Sequence, residues 1–103
     1  KTNKAEKRFE DALKFFTLAN KELPNQPNIL NYLGYTLKKT EDFMMAEIYY
    51  EQGLTIDSRH IDINKNIGKL YFETNRVEKA KARLKILKSC MCEEYEELKN
   101  LIK

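Results

Sequence analysis

Tryptophan is absent from this 103-residue chain, and glycine (three), proline (two), cysteine (two) and histidine (one) are scarce. Loop-rich chains and β-sandwiches use many more turn residues, so this shortage argues against both. No run approaches the ~18 consecutive apolar residues of a membrane-spanning helix, and insertion into a membrane is not expected. Charge of one sign is also missing: 19 basic against 16 acidic residues leave +3. The pI of 8.8 falls short of the values above ~9 typical of nucleic-acid-binding domains, so no nucleic acid is expected as partner. Cys90 and Cys92 are too few for a disulfide framework, and their spacing is neither a redox nor a zinc signature. With one histidine and no clustered ligands, neither metal nor cofactor is expected. What remains is apolar and charged in the proportions of one folded domain, 42% and 34%.

Self-similarity is the informative signal. A shift of 34 residues superposes Ala12, Ala46 and Ala80, then Phe9, Phe43 and Val77, then Phe16, Tyr50 and Leu84. It also aligns Leu30, Asn64 and Leu98, then Leu33, Ile67 and Leu101, and places Gly34 on Gly68. Within a period the apolar residues recur at helical spacing: Leu30, Leu33 and Leu37, then Phe43, Ala46, Tyr50 and Leu54. The next period repeats this with Ile63, Ile67 and Tyr71, then Val77, Ala80, Leu84 and Leu87. Polar joints separate the stripes. Thr40 or Asp42 can cap the helix after the first joint, and Thr74–Asn75–Arg76 forms the second. Each unit is thus predicted to be two antiparallel helices of about 12 to 14 residues.

Glycine inside a helix costs about 1 kcal/mol relative to alanine. Gly34 and Gly68 therefore predict close backbone approach, with Ala46 and Ala80 as the small opposing surface.

These residues resemble the tetratricopeptide repeat family, whose pattern joins Trp-x2-Leu-Gly-x2-Tyr to Ala-x3-Phe and a late Pro. One copy reads Leu30-x2-Leu33-Gly34-x2-Leu37, then Ala46-x3-Tyr50, with Ser58 in the proline's place. The next reads Asn64-x2-Ile67-Gly68-x2-Tyr71, then Ala80-x3-Leu84, with Cys92 in that place. Asn64 departs from the bulky aromatic. The resemblance implies an all-α, right-handed superhelical solenoid of about six paired helices, forming a single domain. Residues 1–26 would be the second half of a truncated repeat, 27–60 and 61–94 two complete repeats, and 95–103 a terminal capping helix. The helix near residues 5–22 is expected to expose Phe9, Leu13, Phe15 and Phe16, its usual partner being missing or reduced to residues 1–7. A chain opening on Lys1 with such a face reads as a piece of a longer array, or as one whose face meets another chain.

The resemblance further implies that first helices line a concave face. That face would present Asn28, Asn31, Tyr35 and Lys38, then Asp62, Lys65, Lys69 and Phe72, then Glu96, Lys99 and Lys103. Periodicity stacks Lys65 and Lys69 beside Lys99 and Lys103, a basic ladder suited to an acidic or extended peptide. The expected contacts are Asn31, Tyr35, Lys38, Lys65, Lys69 and Phe72. The family's clamp for a chaperone's C-terminal carboxylate is not expected. Of the corresponding residues Asn31, Tyr35, Asn66, Glu96 and Asn100, only Asn66 agrees.

Asp57, Ser58, His60 and Asp62 offer the residue types of a Ser/His/Asp hydrolase, but at a repeat junction and without a glycine-rich elbow they read as a turn. No catalytic residue is expected, and the function reads as non-enzymatic. The chain would be an adaptor or scaffold for a protein or peptide, or alternatively a homo-oligomer assembling through its apolar helix face. Cys90 reads as a small core hydrophobe. The ending Cys90–Met91–Cys92–Glu93–Glu94–Tyr95 resembles those of small exported bacterial members of the family. That likeness favours a periplasmic location, in which an oxidised pair is conceivable; otherwise the chain would be cytoplasmic.

Overall fold

Six α-helices and one turn of 3₁₀-helix make up the regular structure of residues 3–103, which the computed structural model describes; among them there is no strand. They are α1 (Lys4–Glu22), α2 (Pro27–Lys39), α3 (Phe43–Ile56), α4 (Ile61–Glu73), α5 (Val77–Leu87), the 3₁₀ turn Lys88–Cys90, and α6 (Glu93–Ile102). The helices start where the polar joints allow. Asn3 accepts the Glu6 N–H at 2.8 Å, and Asp42 accepts that of Met45 at 3.3 Å. Pro27 sits in the first turn of α2, where its missing N–H costs nothing. Asn25, Glu41, Asn75 and Met91 take left-handed backbone at four of the joints and so reverse the chain.

The densest packing joins α2 to α3 and α4 to α5, the two helix pairs predicted from the repeat. A core of Leu37, Ala46, Tyr50, Ile63, Ile67, Leu70, Tyr71 and Ala80 runs through both pairs. Repeat proteins bury their apolar faces only by such stacking, so this continuous core makes a single body of 38 × 31 × 22 Å.

The atoms that come nearest the two glycines are not those of the expected alanines. The atoms nearest a Cβ on Gly34 belong to the Tyr50 ring, which lies against the α2 backbone. A Cβ on Gly68 would come within 2.7 Å of Leu98 and 3.3 Å of the Arg83 Cβ. Ala46 and Ala80 are themselves fully buried. The difference is one of identity: the atoms nearest the two glycines belong to a tyrosine ring and a leucine tip rather than to an alanine methyl. Asn64, occupying the aromatic's column, is also fully buried. Its amide donates to the carbonyls of His60 (2.8 Å) and Ser58 (3.1 Å) and its oxygen accepts from Arg83 Nη1 at 3.2 Å. Hydrogen bonds thus replace the apolar volume, which lets a polar side chain occupy the interior.

α1 differs from the expectation in detail. Residues 4–7 belong to it rather than to a separate partner, while residues 1 and 2 of that expected segment lie outside the described residues. Of its four expected exposed residues only Phe15 is open, at 66%. Phe9, Leu13 and Phe16 are half-buried, and Phe16 stacks on Tyr32 of α2 with ring centroids 5.0 Å apart.

α5 stops at Leu87, so Cys90 ends the 3₁₀ turn instead of packing within a helix. Its sulfur is bonded to that of Cys92, which corrects the reading of Cys90 as a core thiol. The intervening Met91 reverses the chain and brings the two Cα atoms to 5.2 Å, within the reach of a disulfide.

Candidate protein-binding face

The helical period leaves α2 with one stripe unused by the core: Asn28, Tyr32, Tyr35 and Lys39. The corresponding side of α4 carries Asp62, Lys65, Lys69, Phe72 and Glu73, from half-buried to exposed. Tyr35 is exposed, with the Lys39 ammonium 5.1 Å from its ring centre. Phe72 is half-buried against the core.

The lysines do not form the expected ladder. Lys38 meets Glu73 at 2.6 Å. Glu97 of α6 faces both Lys65, at 3.6 Å, and Lys69, at 3.9 Å. Lys99 instead lies over its own helix's Tyr95, 5.7 Å from the ring centre. Four half-exposed ammonium groups in one column would repel each other, whereas a carboxylate from the next helix stabilises two of them. Glu97, absent from the expected face, could have been found by asking which acid on the last helix precedes the buried Leu98. One carboxylate between two ammonium groups leaves the patch with a net positive charge.

Asn31 is also corrected. It is only 7% exposed, and its carbonyl oxygen accepts from Asn66 Nδ2 at 2.9 Å. That bond ties α2 to α4 and leaves Asn31 little surface for a ligand.

The polar joint before α4 is equally committed to structure. His60 Nδ1 accepts the Ile63 N–H at 3.2 Å, and Nε2 donates to Asn28 Oδ1 at 2.7 Å. Asp57 accepts from the Arg59 N–H at 3.3 Å. Among the described residues, no three His, Cys, Asp or Glu side chains converge as metal ligands. No helix of the described residues is long and apolar enough to cross a membrane.

A second polar cluster carried no signal in the repeat pattern. Arg76, at the joint before α5, grips Glu47 of α3 in a two-pronged ion pair at 2.7 and 3.0 Å. Its Nε also donates to Thr74 Oγ1 at 3.1 Å, and its guanidinium stacks 4.8 Å from the Tyr71 ring centre. The hydrogen bonds from Arg76 hold the Glu47 carboxyl below the usual carboxylate range, against the opposing effect of burial. The partners are 29 residues apart and belong to different elements, so only folding brings them together.

Paired helices stacked through a shared core, with small residues under large ones at a fixed period, define the helical-repeat class of proteins. The sequence profile of the tetratricopeptide repeat matches residues 28–60, the α2–α3 pair. Residues 28–60 thus carry a tetratricopeptide repeat, a repeat of a kind associated with protein–protein interaction. It is similar to an uncharacterized protein called ycf37 from Guillardia theta, with 37% identity over 62 residues. The match takes in 59% of this chain and 35% of that relative, so it spans about a third of the relative's length.

Proposed function

We propose that the chain is a non-enzymatic adaptor that holds an extended protein segment on the face formed by α2, α4 and α6. The repeat segments 27–60 and 61–94, with a terminal helix after them, form its single domain. Tyr35 and Phe72 supply apolar contact, while Lys38, Lys65 and Lys69 supply charge. One observation carries this reading: Glu97 is shared between Lys65 and Lys69, so the patch can accept a second carboxylate. An acidic side chain of the ligand would bind beside Glu97 or displace it. The contact set is thus narrower than the sequence suggests, with Asn31 holding the face together from beneath.

A fluorescent peptide of alternating glutamate and leucine is a suitable probe. Reversing both lysines (Lys65→Glu with Lys69→Glu) is expected to weaken it roughly tenfold, since partly exposed ion pairs contribute about 0.2–1 kcal/mol each. Glu97→Gln should strengthen it severalfold. Equal affinity for all three proteins, measured by fluorescence anisotropy, would end the proposal for this face.

A second reading is self-association through α1, favoured by a specific feature of that helix. None of its 19 residues is fully buried, and a shallow apolar groove runs along Leu13, Thr17 and Leu18 between Lys14 and Lys21. Leu18 is 59% exposed. In light scattering over a concentration series, this reading expects a rising mass that Leu18→Glu abolishes. A constant monomer mass removes it.

A further inference from the structure

The joint between α5 and α6 is built differently from the others. Asn25 and Pro27 shape the entry to α2. Side-chain caps from Asp42 and His60 start α3 and α4. Asn75 and the Arg76–Glu47 pair secure the entry to α5. Asparagine tolerates left-handed backbone because its short polar side chain bonds locally, whereas methionine does not. Met91 adopts φ 50°, as Glu41 adopts φ 66° at the joint that Asp42 caps, but Met91 is 95% exposed, so packing does little to hold it there. Cys92 caps α6 without any side-chain hydrogen bond. The ten-residue α6 has a single buried residue, Leu98, and helices this short are marginal without tertiary support. The constraint at this joint is covalent: the Cys90–Cys92 bond, which spans Met91.

We propose that Cys90 and Cys92 form a thiol–disulfide exchange site whose oxidised state latches α6 against α4, and that its reaction partner is a dithiol. A thiolate of the dithiol attacks one sulfur of the bridge, the S–S bond breaks, and the other cysteine leaves as a thiolate and takes up a proton. The second thiol of the reagent then displaces the mixed disulfide. Two electrons and two protons end on Cys90 and Cys92, and the reagent departs as its cyclic disulfide. Both cysteines are partly exposed residues, as attack by such a reagent requires.

Release of the latch affects the face described above, because Glu97 and Leu98 are consecutive on α6. Loosening α6 withdraws the carboxylate from Lys65 and Lys69 and the leucine from its seat over Gly68. The exchange site stands on the joint's geometry alone; its effect on an acidic ligand rests on the function proposed above.

The test uses the full chain, air-oxidised and then equilibrated with dithiothreitol. Thiol alkylation and mass spectrometry follow the cysteines, and hydrogen exchange follows the helices. Dithiothreitol should convert the bridge to two alkylatable thiols, and α6 amides should then exchange roughly tenfold faster while α2 to α4 keep their protection. The double variant Cys90→Ser with Cys92→Ser should match the reduced wild type under oxidising conditions. A bridge that never forms, or α6 exchange equal in the oxidised and reduced protein, overturns the proposal. Faster α6 exchange with unchanged affinity for the glutamate–leucine peptide upholds the latch and removes the ligand from Lys65 and Lys69.

Discussion

Replacing Tyr50 with alanine is expected to cost about 3–5 kcal/mol, the largest single loss in this chain. The ring is fully buried, lies on the Gly34 backbone and forms part of the core shared by the two repeats. Tyr50→Phe should behave oppositely. The phenolic oxygen has no hydrogen-bond partner in the interior, so its removal should raise stability by about 1 kcal/mol. Burial pushes the Tyr50 phenol up from a usual value of 10.0. The unfolded chain therefore releases this proton at a pH where the folded chain still holds it, and stability falls as pH rises above about 10. Part of that fall should disappear in Tyr50→Phe; the rest belongs to other groups, including Tyr71, which burial also shifts upward. Urea unfolding at pH 7 and pH 10.5 measures both effects. A phenylalanine variant less stable than wild type would mean that the hydroxyl is satisfied after all.

The glycine pair supplies a second contrast. Gly34→Ala is expected to destabilise by about 1–3 kcal/mol, because the new methyl meets a buried aromatic ring that has nowhere to move. Gly68→Ala meets chiefly the tip of Leu98, on a short terminal helix that can shift outward. The ~1 kcal/mol gained by placing alanine in a helix offsets much of that collision. Thermal unfolding should rank Gly34→Ala well below Gly68→Ala, which should stay near wild type while its α6 amides exchange faster. Equal losses at both sites would show that α6 is held as firmly as the core.

The helix pairs were legible because a helix buries one stripe, and the stripe's 34-residue recurrence survives in the sequence. Ala46, Tyr50, Ala80 and Leu98 appear in columns that periodicity alone identifies. What filled the space over each glycine was not legible: Tyr50 and Leu98 reach it by the lengths of their side chains, and a column alignment records identity without reach. The face suffered the same blindness. Lys65 and Lys99 share a column, yet the group opposite Lys65 is Glu97, because helices meet at angles and a repeat offset does not fix which residues oppose each other. Asn64 was legible only as a departure; its three hydrogen bonds involve the joint before its own helix and Arg83 of the neighbouring helix.

The class of fold, the two helix pairs and the positions of the small residues follow from the amino-acid order, since burial of an apolar stripe is a local and periodic demand. The ion pairs, the bridge at Met91, the grip of Arg76 on Glu47 and the seat of Leu98 were decided by tertiary structure. Each joins groups whose distance in space depends on how successive helices cross, which no single helix specifies.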